Sequence, residues 1–191
     1  MDREWLPMPP IPSRAMHRYA PYYCEENIWH LCDELRRPGV DRKVVYISNP
    51  LRQCVLWHQR AAPAPGEAII WDYHVILLRR DEAWQVWDLD TVLGMPVDLR
   101  AYLRRTFEEE RVDPRFAPLF RVIDGDEYLE LFSSDRSHMR DEDGSWKAPP
   151  PAWTAIHRPG RPSFMKLVEM TGEAPGVVMG LDQLREQFDV G

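Results

Sequence analysis

Apolar residues recur along this chain with two different periods. Ile28, Leu31, Cys32 and Leu35 follow helical spacing, and Cys24 extends the stripe by one turn. That spacing predicts a helix from near Tyr23 to just before Pro38-Gly39, a breaker pair. From residue 43 the texture changes to short runs rich in Val, Ile, Trp and Tyr, and residues 43–48, 54–59, 68–80 and 84–93 read as strands. Residues 98–110 suit a helix, 119–123 a short strand, and 126–132 a helical turn or two. The tetrapeptide DGSW (143–146) reads as a turn, 176–179 as a last strand, and Asp182 as the N-cap of a closing helix over 183–188. A helix first, an antiparallel sheet in the middle and helices later describe an α+β sandwich.

Composition narrows the class of protein. With 191 residues and 44% apolar content, including eight Trp, one domain with a substantial core is expected. Of 18 prolines, eight fall in the first 21 residues and at 149–151, so residues 1–20 read as an extended arm and 21–191 as a single domain. A net charge of −7 without a basic cluster offers no footprint for nucleic acid or an anionic membrane. The most apolar window, 68–78, is too short to span a bilayer and carries Asp72 and His74. Residues 1–20 contain no unbroken apolar run of the kind a secretory signal needs. Cysteines at 24, 32 and 54 cannot all pair within one chain, and their spacing fits no common zinc pattern. Free thiols in a cytoplasmic protein are the expectation, and a monomer the default state.

Cys32 and Cys54 sit within an apolar stripe and a strand and read as structural. Cys24 lies at the predicted helix start, where unpaired N–H groups and the helix dipole favour an anion. Glu25 and Glu26 oppose that effect if they face the sulfur, so an activated thiolate needs a base partner. Among six histidines, His74 stands out because it interrupts the most apolar strand, AIIWDYHVILL, where a polar ring must find partners. The next strand carries Asp88 and Asp90 two residues apart, hence on one face. A three-residue hairpin loop at 81–83 would place both on the face of His74, opposite one or the other. A buried carboxylate beside an imidazole fixes its tautomer and stabilises its cation. Cys24, His74 and one of the two aspartates thus follow the chain order of a papain-like triad.

The segments YYCEENIWHLC, VYISN, IIWDYHVILL, WDLDTVL, FRVI, SDRSHM and APPPAW span residues 22–153 and resemble the protein N-terminal glutamine amidohydrolase family, with a weaker match through GVVMGLDQLREQF. The resemblance implies an α-β-α sandwich around a mostly antiparallel sheet, of the papain and transglutaminase kind. It also implies removal of ammonia from the side chain of an N-terminal glutamine of proteins or peptides, with no metal or organic cofactor. By motif, Cys24 becomes the nucleophile, His74 the base and Asp88 the orienting acid, leaving Asp90 a supporting or structural role. In a eukaryote, such an enzyme would prepare termini for arginylation and degradation in the cytoplasm and nucleus.

A glutamine pocket that rejects asparagine by packing alone gains only about 1–3 kcal/mol, so recognition of the free α-ammonium is expected to add more. Glu25, Asp72, Ser134 and Asp135 are the candidate polar wall, with Trp71 or Tyr73 as the apolar one. In SDRSHM, His138 offers a second imidazole near the site, but Asp135 and Arg136 are expected to anchor a loop that shapes the pocket and His138 not to be catalytic. Two other activities would use the same fold: acyl transfer of the transglutaminase or protease kind, and capture of chain termini without catalysis.

Overall fold

The computed structural model describes residues 17–172 and 174–190. Its central strand is β1 (Asp41–Ser48), whose successive side chains point to opposite faces of the sheet. Val44 and Tyr46 pack on one side and Val45 and Ile47 on the other, all with no exposed surface. Both faces are covered, so this stretch is apolar without alternation. On one edge β1 pairs with β4 (His74–Arg80), on the other with β7 (Leu119–Asp124). The full order is β6–β5–β4–β1–β7–β8, with β5 at Trp84–Trp87, β6 at Val97–Asp98 and β8 at Val177–Met179. Every neighbouring pair is antiparallel.

Helices α1 (Cys24–Glu34), α3 (Gly125–Leu131) and α4 (Met165–Val168) cover the face of Val44 and Tyr46. The opposite face is covered by α2 (Leu99–Thr106), α5 (Leu181–Gln187) and a two-stranded ribbon of β2 (Cys54–Leu56) with β3 (Ile69–Trp71). The result is an α+β sandwich with helices on both sides of a six-stranded antiparallel sheet. Gly125 lets α3 start close against β1: a Cβ there would sit 2.9 Å from that of Arg42 and 3.1 Å from the Cys32 sulfur. Arg121 is buried under the segment after α4 and donates to the carbonyls of Leu167, Glu169, Ala174 and Pro175, tying that segment to β7. No helix among the described residues is long and apolar enough to cross a membrane.

Several boundaries differ from the sequence expectation for local reasons. The run 68–80 is two strands, because Asp72 accepts from the Tyr73 N–H through Oδ1 while its carbonyl accepts from Ser48 Oγ, breaking the ladder between β3 and β4. The strand expected to reach 93 stops at Trp87, since the Asp88 carboxylate captures the Asp90 N–H. The strand expected over 54–59 ends at Leu56, and β2 belongs to the ribbon, outside the main sheet. Helix α2 begins at an N-cap, Asp98, that accepts from Ala101 N–H, and ends at Thr106 because Phe107 turns extended into the core. Helix α5 is capped by Gly180, whose N–H donates to the Gln183 side chain; Asp182 instead sits in the first turn and pairs with Arg185. Helix α4 was not expected. Of the expected arm, residues 17–20 pack on the body, and 1–16 lie outside the described residues.

Candidate active site

Helix α1 opens on Cys24, and its first turn is unusually well fixed. The Asn27 side chain clasps the Ala20 backbone, accepting from its N–H and donating to its carbonyl, both at 2.8 Å. Tyr22 adopts φ 68°, a left-handed conformation that costs a bulky residue about 1–3 kcal/mol and recurs at functional sites. Both first-turn glutamates are fully buried. Glu26 turns away from the sulfur into a two-pronged bond with Arg136, 2.7 Å on each arm, and also accepts from Trp153 Nε1 at 2.7 Å. Glu25 turns toward it, with Oε2 lying 3.8 Å from Cys24 Sγ and accepting the Tyr73 hydroxyl at 3.1 Å.

His74 opens β4 immediately after the Asp72-Tyr73 break, its ring stacked on Trp71 at 5.9 Å between centroids. The hairpin loop is 81–83, as its length suggested, and the pairing Leu77 with Trp87 extrapolates to His74 opposite Asp90. The chain leaves the sheet after Trp87, however, and it is Asp88 Oδ1 that meets His74 Nε2 at 2.9 Å. Asp88 has no exposed surface and is saturated: Oδ1 also accepts the Asp90 N–H, and Oδ2 accepts Gln59 Nε2 and the Tyr102 hydroxyl. Asp90 Oδ1 accepts the Tyr19 hydroxyl.

Cys24 and His74 share a cavity of about 250 Å³. Trp71, Asp72, Tyr73 and Asp90 line it with them, as do Arg52, His138, Met139 and Lys147. Inside it, Cys24 is held as a neutral thiol. Burial pushes its pKa well above the ordinary value, and the charges of Glu25, Asp90 and Asp72 push it further, while a hydrogen bond from the Val75 N–H pulls the other way. For His74, burial alone would lower the ring's pKa. The Asp88 charge and hydrogen bond, with Asp90 behind them, outweigh burial and raise it above 6.5. Burial raises Asp88, but its partners win and keep it ionised below the usual carboxylate value. A neutral thiol sharing a cavity with a basic, carboxylate-backed imidazole is suited to proton transfer coupled to attack.

His74, Asp88 and Asp90 each offer a ligand atom within 4.8 Å of one another, close enough to hold a metal ion. The four donors on Asp88 and the Tyr19 hydroxyl on Asp90 already occupy that space, so the arrangement fits ring orientation better than coordination.

The residues expected on the wall divide. Trp71, Asp72 and Tyr73 line the cavity, and Glu25 lies just behind Cys24, Tyr73 and His138. Ser134 and Asp135 do not line it. Ser134 Oγ accepts from Arg136 N–H and Asp135 from Ser137 N–H, so both shape the loop that delivers His138. Cys32 and Cys54 are buried away from the cavity, their thiols pushed by burial up to about 12. Tyr19, Gln59, Tyr102 and Arg136 carry the site's hydrogen bonds, yet only Arg136 drew notice in the sequence. Each of the other three comes from a distant segment, and no local pattern marks it.

Residues 19–188, which include every one of these groups, match the family described as N-terminal glutamine amidase. The chain belongs to this family. Relatives named protein N-terminal glutamine amidohydrolase include one from Bos taurus, 42% identical over 78% of this chain and 74% of its own length. The Homo sapiens protein of that name is 41% identical over 78% of this chain and 75% of its own. One from Drosophila erecta is 36% identical over 93% of this chain and 91% of its own. The amidase match thus covers both the helix bearing Cys24 and the hairpin bearing His74 and Asp88, and extends through α5.

Proposed function

We propose that this protein hydrolyses the side-chain amide of glutamine at the free amino terminus of proteins or peptides, giving glutamate and ammonia through a Cys24–His74–Asp88 triad. The observation that carries it is a thiol at the first residue of a helix, sharing a cavity with an imidazole hydrogen-bonded to a fully buried carboxylate, in a chain of the amidase family. Nucleophile on the first helix, base on a strand and acid after the next strand also support a papain- or transglutaminase-like architecture. The chemistry needs no metal or organic cofactor.

Because Nε2 of His74 faces Asp88, Nδ1 is the nitrogen left for the thiol. Nδ1 takes the thiol proton as Sγ bonds to the side-chain carbonyl carbon, and the carbonyl electron pair moves to oxygen. Backbone N–H groups at the start of α1 receive that oxyanion. Collapse of the intermediate breaks the C–N bond, the imidazolium protonates the departing nitrogen, and a thioester remains. Water then gives a proton to His74 and attacks the thioester. The C–S bond breaks and the thiol is regenerated. Asp88 stays ionised and holds the ring throughout.

Asp72 and the buried Asp90 line the cavity together with Arg52 and Lys147, and the two carboxylates are the candidates to receive an α-ammonium. Peptides beginning with Gln, Asn or acetyl-Gln, and one with an internal Gln, separate the alternatives. Ammonia is expected from the free N-terminal Gln alone. Cleavage of the peptide chain, or ammonia release only with an added amine, would point to acyl transfer, and binding without release to simple capture.

A further inference from the structure

The cavity holds a second carboxylate–imidazole pair. His138 lines the same cavity as His74, and its Nε2 stands 3.4 Å from Glu25 Oε1. Both atoms are buried and neither has a hydrogen bond. The pair is nevertheless well anchored. Glu25 is fully buried, with its other oxygen on the Tyr73 hydroxyl and 3.8 Å from the Cys24 sulfur. The His138 ring stands edge-on to Phe164 at 4.8 Å, and Lys147 Nζ donates to its carbonyl at 3.0 Å. One residue from Glu25 and two from His138, the Glu26–Arg136 bond clamps helix and loop together. Buried polar atoms left open in so tightly held a place call for a cause, and contacts at reactive sites commonly tighten only when substrate arrives.

We propose that His138, backed by Glu25, receives the carboxamide nitrogen of the bound glutamine and so distinguishes the substrate amide from the product acid. This rests on the deamidation proposed above. In the tautomer with Nε2–H turned to Glu25, His138 presents the lone pair of Nδ1 as an acceptor. A carboxamide N–H can fill it. The glutamate product has no such hydrogen and brings a negative charge toward Glu25. A site built to bond an N–H rejects the analogue that lacks it far more strongly than packing can. The same contact holds the departing nitrogen in the cavity that Cys24 and His74 share, and His74 supplies its proton.

The test is initial-rate kinetics of ammonia release from a Gln-initiated peptide, with the matching Glu-initiated peptide as inhibitor. It uses wild type, His138→Phe, Glu25→Gln and the double variant, each checked by thermal unfolding. Phenylalanine keeps the edge contact with Phe164; should it fail to fold, His138→Leu replaces it. For His138→Phe, kcat/KM is expected to fall about 10- to 100-fold, the range of one lost hydrogen bond to substrate. The ratio of the product's inhibition constant to KM should narrow in both single variants, and the double variant should be little worse than His138→Phe alone. Wild-type kcat/KM in His138→Phe, or a loss that leaves that ratio unchanged, overturns the assignment while deamidation stands. If wild type itself releases no ammonia, deamidation fails and this role with it.

Discussion

Cys24→Ala is expected to abolish ammonia release from a Gln-initiated peptide, with a loss of at least about 10⁴-fold, because the proposed acyl intermediate forms on its sulfur. The fold should survive the change. Cys24 contributes a small side chain at the edge of its apolar cluster, and the Asn27 clasp and the Glu26–Arg136 pair that set the helix start do not involve its sulfur. Cys32→Ala and Cys54→Ala should do the reverse. Each opens a small gap at a position with no exposed surface, costing about 1 kcal/mol, and leaves turnover close to wild type. Ammonia assays beside thermal unfolding of the three variants separate a lost nucleophile from lost packing.

Asp88→Asn is expected to lower kcat by about 10³–10⁴-fold, the scale on which a mis-oriented, uncharged partner disables a catalytic imidazole. The new amide places N–H groups among Gln59 Nε2 and the Tyr102 hydroxyl, which now donate to Asp88, and it removes the negative charge that stabilises the His74 cation. The pH profile should move in a definite direction. His74 works as a base only when neutral, and Asp88 raises its pKa above 6.5 against the lowering effect of burial. In wild type, kcat/KM therefore falls on the acid side through a pKa above 6.5. In Asp88→Asn the burial effect loses its main opponent, so the residual activity should persist to lower pH. An acid limb at the same pH in both proteins would remove His74 from the base role.

Much of this site could be read from the sequence because its parts lie on strongly patterned elements. The helical stripe placed Cys24 at the start of α1, and the apolar run around His74 marked the histidine as needing a partner. The three-residue loop placed both aspartates on the right face. It left the choice between them open, and the register of the hairpin by itself points to Asp90. What decides the hydrogen bond is that Asp88 ends the strand by capping its own chain, a competition between side chain and ladder that periodicity does not record. The break at Asp72-Tyr73 escaped notice for the same reason. His138 was set aside because a loop composition says nothing of where the loop goes. The bond between Arg136 and Glu26, 110 residues apart, helps to bring it to the cavity. Glu25 and Glu26 look equivalent in sequence, yet one faces the thiol and the other a guanidinium.

The central assertion is that turnover passes through the sulfur of Cys24, and alkylation with iodoacetamide tests it most directly. All three thiols are held neutral by burial, but only Cys24 opens on the cavity, which it shares with the basic imidazole of His74. Peptide mapping during a time course should show Cys24 carboxamidomethylated first, in step with the loss of ammonia release, and slowed by excess Gln-initiated peptide. Full modification of Cys24 in a protein that still deamidates at its original rate would contradict the account.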